Sequence, residues 1–247
     1  MTELTISEIT IMNEGLCVIG LHAMGNSFRS VRLVPHFRQS WPSSWPHHRG
    51  DILLASLKVS EVLGPHVEDA VTIGNPRRTG KVGEEQLLHR LRRAEVAETI
   101  SELFGCELRL TQSRSGVLWA DPDEAKRSIC GCAISLVQFF RRDESWRAKL
   151  VLEAGEILLN IPVVDRDWRN FLDSAISIVG RENVNQRALP FLNGPIADFL
   201  RHGRNAFVRL GLSRRFQGNC CWLMLDSLFP LPKREWLDEF AGRPEVK

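Results

Sequence analysis

Apolar and polar residues alternate along much of the first 65 residues, and this pattern predicts β-strands. Over 52–62 every second side chain falls on one side of an extended chain, which is the period of a strand with one buried face. Three earlier segments are rich in Val, Ile and Leu and are bounded by Gly, Pro, Asn or Ser: 9–12, 16–21 and 30–34. Because no helical pattern separates these four strands, we expect them to form an antiparallel meander or barrel.

A loop with two Trp-Pro steps, at Trp41 and Trp45, interrupts this series of strands. Proline biases the residue before it towards an extended conformation, so neither step fits a helix. If the loop is exposed, it offers two indole rings to a partner. If it folds back, it caps the barrel.

A helical period predicts a helix over 83–104, with leucines on one face and charged residues on the other. Gly105 follows as its C-cap. Two short strands are predicted at 107–111 and 116–119. The polar stretch 121–127 comes next, and we take it as the boundary between two lobes.

The second half of the chain returns to the strand pattern, with helical segments near 166–179 and 186–202. Its predicted strands are rich in apolar residues and cover 130–140, 147–153, 156–163, 206–212 and 219–225. We therefore predict a β-rich α+β fold with two barrel-like lobes and interspersed helices. The lobes and tail cover 1–121, 128–232 and 233–247.

Size and composition are those of an ordinary globular protein, with 247 residues, 43% hydrophobic and 25% charged. The longest apolar runs are far shorter than the roughly 20 residues of a membrane-spanning helix. The N-terminus has no apolar signal region. We therefore expect a cytoplasmic protein without membrane association. Because the net charge is only +2, any affinity for phosphate must come from local basic clusters.

The chain contains none of the catalytic motifs that carry a known chemistry, such as a P-loop or a Gly-x-Ser-x-Gly elbow. Its six cysteines form no Cys-x-x-Cys pair. We therefore expect no enzymatic activity, no cofactor and no metal. An alternative is an enzyme whose site is assembled across the lobes, from His47, His48 and Asp51 or from a metal held by Cys130 and Cys132.

Arginines are concentrated near the end of the chain, where 201–216 carries five of them and no acid. On a strand, Phe207, Arg209 and Gly211 would share one face, and a glycine there would let a ligand approach the sheet. An arginine beside a phenylalanine on such a face can hold a phosphate or stack a base. The alternative is a barrel strand whose arginines reach water or pair with acids. A second basic patch lies in the turn-like stretch 75–81.

Several short segments, in order from about 16 to 230, resemble the dual OB-containing domain family. The opening of that family is similar to Leu-Cys-Val-Ile-Gly at 16–20 followed by Val-Arg-Leu-Val-Pro at 31–35. Its later signatures resemble the segments at 160–168, 208–214 and 221–230. One departure is Val31, which stands where the family has an aromatic residue, so a stacking role is in doubt at that position.

The resemblance implies two tandem OB-like antiparallel barrels, recognition of nucleic acid or nucleotides, and a place beside bacterial defence systems. We therefore predict a non-catalytic module that binds nucleic acid or a nucleotide. Its candidate binding residues are basic or aromatic: Arg32, Trp45, Arg77, Arg78, Lys81, Phe207, Arg209, Arg214 and Arg215. The alternative is a protein-interaction adaptor that docks a partner effector through the Trp-Pro loop and exposed arginines.

Overall fold

Five strands in the first third of the chain close into a barrel with the order β1-β2-β3-β5-β4. The computed structural model describes residues 1–13, 15–37, 40–59, 64–111, 116–198, 206–215 and 220–242. The barrel strands are β1 (Thr2–Met12), β2 (Gly15–Met24), β3 (Ser27–Pro35), β4 (Asp51–Val59) and β5 (Asp69–Lys81). The pairing of β3 with β5 is parallel, and the other pairings are antiparallel. The four predicted strands are present. The basic stretch 75–81, predicted to be turn-like, is instead the end of β5.

The Trp-Pro loop folds back onto the barrel. Trp41 and Trp45 are each only 7% exposed, and their ring centroids lie 4.1 Å apart. The indole Nε1 of Trp41 donates a hydrogen bond to the Leu33 carbonyl at 2.8 Å. Of the two arrangements compatible with the sequence, the structure has the one in which the loop caps the barrel core.

A second, seven-stranded sheet curls into a half-barrel with the order β10-β9-β8-β11-β12-β7-β6. Its strands are β6 (Arg109–Leu110), β7 (Leu118–Ala120), β8 (Ile129–Arg142), β9 (Ser145–Leu152), β10 (Ile157–Pro162), β11 (Phe207–Leu212) and β12 (Cys221–Phe229). The predicted β-rich α+β fold with two barrel-like parts is confirmed. However, β6 and β7, which we placed in the lobe 1–121, are hydrogen-bonded to the second sheet through β12.

Three α-helices of eight or more residues accompany the sheets in the described part of the chain: α1 (Glu84–Leu91), α2 (Arg166–Val179) and α3 (Arg234–Ala241). The predicted helix over 83–104 is wrong in its length, because the backbone after α1 pairs with β8. The Gly131 N–H donates to the Glu95 carbonyl at 2.7 Å, and the Ala97 N–H donates to the Gly131 carbonyl at 2.9 Å.

The later helical segments were placed well by the sequence. Helix α2 begins where predicted, and the Asp165 carboxylate caps it by accepting the backbone N–H groups of Asp167 and Trp168. The described residues 184–198 form irregular π- and α-turns, and 199–202 lie outside the described residues. Helix α3 lies in the predicted tail, where Trp236 packs against Phe171 of α2 with centroids 6.0 Å apart. Among the described helices, none is long and apolar enough to cross a membrane.

Candidate ligand-binding pocket between the two lobes

Buried ion pairs join the barrel to the half-barrel. Arg209 of β11 is completely buried, and its Nε donates to Glu8 Oε1 of β1 at 2.9 Å. Arg49, which precedes β4, pairs with Asp165 at 2.7 Å and with Asp167 at 2.6 Å, at the start of α2. Each of these guanidinium groups therefore ties one sheet to elements of the other.

Two of the candidate binding residues belong to this interior. Phe207 is 1% exposed and packs in a cluster with Leu87 and Leu91 of α1, so its ring offers no surface for a base. Arg209 is held by Glu8 and by the Glu95 carbonyl, so it presents no guanidinium to a phosphate from outside. The reason is that β11 lies in the middle of its sheet with all six residues buried, whereas the prediction assumed one solvent-facing side.

A cavity of about 660 Å³ opens between the two lobes. One wall comes from β1, β2 and β3 of the barrel, and the other comes from β9, β10, β11 and β12 of the half-barrel. Much of the lining is apolar and includes Ile11, Leu33, Val164, Leu212, Trp222 and Met224. This volume falls within the range of about 300 to 1,000 Å³ that is typical of small-molecule sites.

Four arginines line the same cavity, and three of them, Arg32, Arg214 and Arg215, are among the binding residues predicted from the sequence. The side chains of Arg214 and Arg215 are 50% and 42% exposed. Arg214 Nη2 lies 2.6 Å from Asp69 Oδ2, and Arg215 pairs with Asp123. The Arg215–Asp123 pair is exposed on both sides, and such pairs contribute only about 0 to 1 kcal/mol, so an anionic ligand can compete for the Arg215 guanidinium group. Arg214 is half-exposed, but its partner Asp69 is buried and also pairs with Arg32.

Arg32, also predicted, lies deeper in the cavity and is held by the barrel. Its Nη1 is 3.1 Å from Asp69 Oδ1, and its Nη2 donates to Ser128 Oγ at 3.0 Å. Burial, with Arg32 and Arg214 nearby, lowers the pKa of His66 to about 2, so the neutral ring accepts a hydrogen bond from Arg32. The Nε of Arg32 has no hydrogen-bond partner among the described residues.

Arg147 of β9 is the fourth arginine, and it is not among the binding residues predicted from the sequence. Its Nε is buried and has no hydrogen-bond partner within the described ranges. Burial, with the neighbouring Arg142, lowers the pKa of the Arg147 guanidinium. An anion in the cavity would stabilise the charged form, because it would supply the partner that the protein does not.

The floor of the cavity carries a buried carboxyl group, that of Asp226 on β12. It is 3% exposed, and its Oδ1 has no hydrogen-bond partner in the described part of the chain. Burial raises the pKa of Asp226 to about 8, an effect that Arg32 opposes and Glu8 reinforces. At pH 7 this group is therefore mostly an uncharged carboxylic acid, which can both donate and accept a hydrogen bond.

A β-bulge and a glycine make room for Asp226. In the β11–β12 pairing, Arg209 faces Ser227 and Leu210 faces Leu225, so Asp226 is the additional residue of the bulge. A Cβ on Gly211 would overlap the Asp226 carboxyl group. The prediction that Gly211 admits a ligand to the sheet is therefore wrong, since the space above it is filled by this side chain.

The remaining predicted binding residues lie elsewhere. Arg77, Arg78 and Lys81 are exposed on β5 and do not line the cavity. The Nε of Arg78 pairs with Asp51 Oδ1 at 3.0 Å. Trp45 is buried in the barrel cap, so it offers no stacking surface. The arginines at 201 and 204 lie outside the described residues.

The groups considered for a catalytic or metal site include one local cluster, since the His48 backbone N–H donates to Asp51 Oδ2 at 2.9 Å. His47 Nδ1 lies 3.9 Å from Asp51 Oδ2, and burial lowers the pKa of this histidine. Cys130 and Cys132 are free thiols, and burial raises the pKa of both. Over the described ranges, no three His, Cys, Asp or Glu side chains are arranged to hold a metal ion.

Sequence reasoning missed Arg147, Trp222, Met224 and Asp226, although one signal for them was present. The positions 222, 224 and 226 alternate along a strand, and Asp226 is the only charged residue in the apolar segment 221–229. An acid in such a strand is an unusual buried group and points to a functional or structural role.

Comparison of the chain with family models, with curated proteins and with solved structures finds no match. The resemblance to the dual OB-containing domain family therefore stays a prediction.

Proposed function

We propose that this protein binds a nucleotide in the cavity between its two lobes, and that it does no chemistry on that ligand. The observation that carries the proposal is the convergence of Arg147, Arg214 and Arg215 on one largely apolar cavity. Arginine is suited to phosphate because its planar guanidinium group makes charge-assisted, often bidentate hydrogen bonds. The apolar wall suits the faces of a nucleobase.

The shape of the site favours a nucleotide over a long polymer. The site is a cavity of about 660 Å³ between two sheets, and the exposed basic residues of β5 do not extend it. A polymer would need a continuous basic track along its backbone. Five strands in this arrangement agree with the OB-fold that the resemblance implies, a fold that binds oligonucleotides, so the barrel by itself favours neither ligand over the other. An accessory role in a bacterial defence system is part of this proposal and comes from the resemblance alone.

The proposal is tested by calorimetric titration of the protein at low salt. The ligands are AMP, GMP, CMP, UMP, ATP and GTP, together with single-stranded DNA and RNA. We expect at least one nucleotide to bind. Arg147→Ala should weaken this binding about tenfold to a hundredfold, because a hydrogen bond to a charged group contributes about 1.5 to 3 kcal/mol.

The matched control is Arg77→Ala, which removes an exposed arginine outside the cavity and should leave nucleotide affinity unchanged. Absence of nucleotide binding, or equal affinity of Arg147→Ala and the wild type, would overturn the proposal. If a polymer binds instead and Arg77→Ala weakens it, the basic end of β5 is the functional surface and the cavity is not.

A further inference from the structure

The outer and inner ends of the cavity carry different ionisable side chains. Its mouth carries the half-exposed Arg214 and Arg215, whereas its floor carries Asp226 at 3% exposure and Arg32 at 7%. Exposed positive charge thus lies at the opening, whereas the inner end carries the Asp226 carboxyl group and a buried Arg32 that is paired with Asp69.

The distance between the two ends of the cavity can be estimated along strand β12. Asp226, Met224 and Trp222 all line the cavity and occupy alternate positions of the strand. The distance from Asp226 to Trp222 is about 13 Å, at roughly 3.3 Å per residue, which is comparable with the length of a nucleoside monophosphate. Trp222 lies at the outer end, because its carbonyl accepts the Ser213 N–H at 2.9 Å and Arg214 follows directly.

We propose that Asp226 fixes the orientation of the bound nucleotide, with the base at the floor against its carboxyl group and the phosphate at the mouth with Arg214 and Arg215. This inference rests on the proposed function of the cavity. It adds to that function a positioning and specificity residue and the direction in which the ligand enters.

The charges around Asp226 explain why a phosphate is disfavoured at the floor. Glu8 of β1, Cys17 of β2, Arg32 of β3, Arg209 of β11 and Asp165 before α2 all act on its titration. The two arginines among them already have carboxylate partners, Asp69 for Arg32 and Glu8 for Arg209. A phosphate there would meet further negative charge, and of these two guanidinium groups only the Arg32 Nε lacks a hydrogen-bond partner among the described residues.

A base meets no such penalty at the floor. Nucleobase edges present N–H donors and nitrogen or oxygen acceptors, and a protonated carboxyl group can satisfy one of each. A buried carboxyl oxygen without a hydrogen-bond partner costs free energy, and a base edge would supply the missing bond to Asp226 Oδ1. Met224 and Trp222 would then lie beside the ring and the sugar.

Two ligands that differ only in the presence of the base test whether Asp226 contacts the base. A site that recognises only the phosphate charge would not distinguish the effect of Asp226 on the two ligands. We would measure the affinity of the tightest-binding nucleoside monophosphate and of ribose 5-phosphate, at pH 7 and pH 9, for the wild type, Asp226→Ala and Asp226→Asn. Asp226→Ala should weaken the nucleotide about tenfold, equivalent to one hydrogen bond of about 1.4 kcal/mol, and leave ribose 5-phosphate unchanged. The wild type should bind the nucleotide more weakly at pH 9 than at pH 7, whereas Asp226→Asn should not show this difference.

The outcomes distinguish the two proposals. If neither phosphate ligand nor any nucleotide binds the wild type, the proposed function itself fails. If the nucleotide binds but Asp226→Ala retains full affinity, or loses both ligands by the same factor, the orientation proposed here is wrong. If Asp226→Ala does not fold, the nucleotide affinities of Asp226→Asn and the wild type at pH 7 and pH 9 decide between these outcomes. The same change in affinity with pH for both proteins would show that the proposed orientation is wrong.

Discussion

Burial determines what each charged side chain of this protein can do. Arg209 and Arg214 are five residues apart, yet Arg209 is completely buried against Glu8 while half of the Arg214 side chain is exposed. Only the second has side-chain surface that a ligand can reach. The same consideration makes Asp226 unusual, since it is a buried acid whose Oδ1 finds no hydrogen bond among the described residues.

The raised pKa of Asp226 predicts how stability depends on pH. In the unfolded chain an aspartate titrates near 3.9, whereas burial raises the pKa of Asp226 to about 8 in the folded protein. Between these values the folded state holds a proton that the unfolded state has lost, so this residue destabilises the fold increasingly as pH rises from about 4 to about 8. Below and above that window its contribution is constant.

Asp226→Asn should remove this dependence, because an amide does not ionise. We expect the unfolding free energy of the variant, relative to the wild type, to increase by about 3 to 4 kcal/mol between pH 5 and pH 8. Urea denaturation at pH 5, 6.5 and 8 measures it. Asp143→Asn, at a side chain that is 93% exposed, is the control and should change stability by less than about 0.5 kcal/mol. A constant difference between Asp226→Asn and the wild type across this range would contradict the prediction.

At the scale of elements, the β11–β12 pair shows how a bulge and a glycine together create a site. The bulge adds Asp226 to β12, and Gly211 on β11 leaves the volume that its carboxyl group fills. Neither feature is useful without the other, because a side chain at 211 would displace the acid. The two positions should therefore be energetically coupled.

Gly211→Ala should destabilise the protein by about 1 to 3 kcal/mol, as expected for a methyl group inserted into a filled space. In the background of Asp226→Ala the same change should cost less than about 1 kcal/mol, since the group it displaces is absent. A double-mutant cycle measured by urea denaturation checks this coupling. The control is Gly194→Ala, where an added Cβ meets nothing within 4 Å. Additive free energies at 211 and 226 would show that the two residues do not compete for one space.

At the scale of the whole molecule, the ion pairs between the sheets make the two lobes one unit. Glu8 and Arg209 are separated by 201 positions in the chain, and both side chains are fully buried. Removing one partner of such a pair leaves a buried charge without compensation, which is far more costly than losing a surface pair.

Arg209→Met should therefore lower the unfolding free energy by about 3 to 5 kcal/mol. Arg142→Met, at a partly exposed side chain that pairs with Asp143 at 3.8 Å, should lower it by no more than about 1 kcal/mol. Chemical denaturation followed by tryptophan fluorescence and far-ultraviolet circular dichroism measures both. Glu8→Gln should recover part of the loss in the Arg209→Met background, because it removes the unpaired carboxylate. Equal losses for Arg209→Met and Arg142→Met would contradict a buried interlobe pair.

The local sequence pattern was sufficient to predict most of the strands and the start of helix α2. Alternation over 52–62 and apolar segments bounded by turn residues predicted the first four strands and most of the second sheet, and the acidic first turn of α2 predicted where that helix begins. These features depend on neighbours in the chain, because the strand period and helix capping are set within a few residues. The arginines that line the mouth, Arg214 and Arg215, were also recognised from their local density.

Tertiary structure alone decided the rest. Sequence pattern did not reveal that β5 is a strand, that β6 and β7 join the second sheet, or that Phe207 and Arg209 are interior, since each depends on pairing with distant segments. The cavity has the same origin, because its walls come from β1 to β3 and from β9 to β12. A periodic sequence specifies which face of a strand is apolar, but only long-range packing determines which faces meet and which charges remain accessible to a ligand.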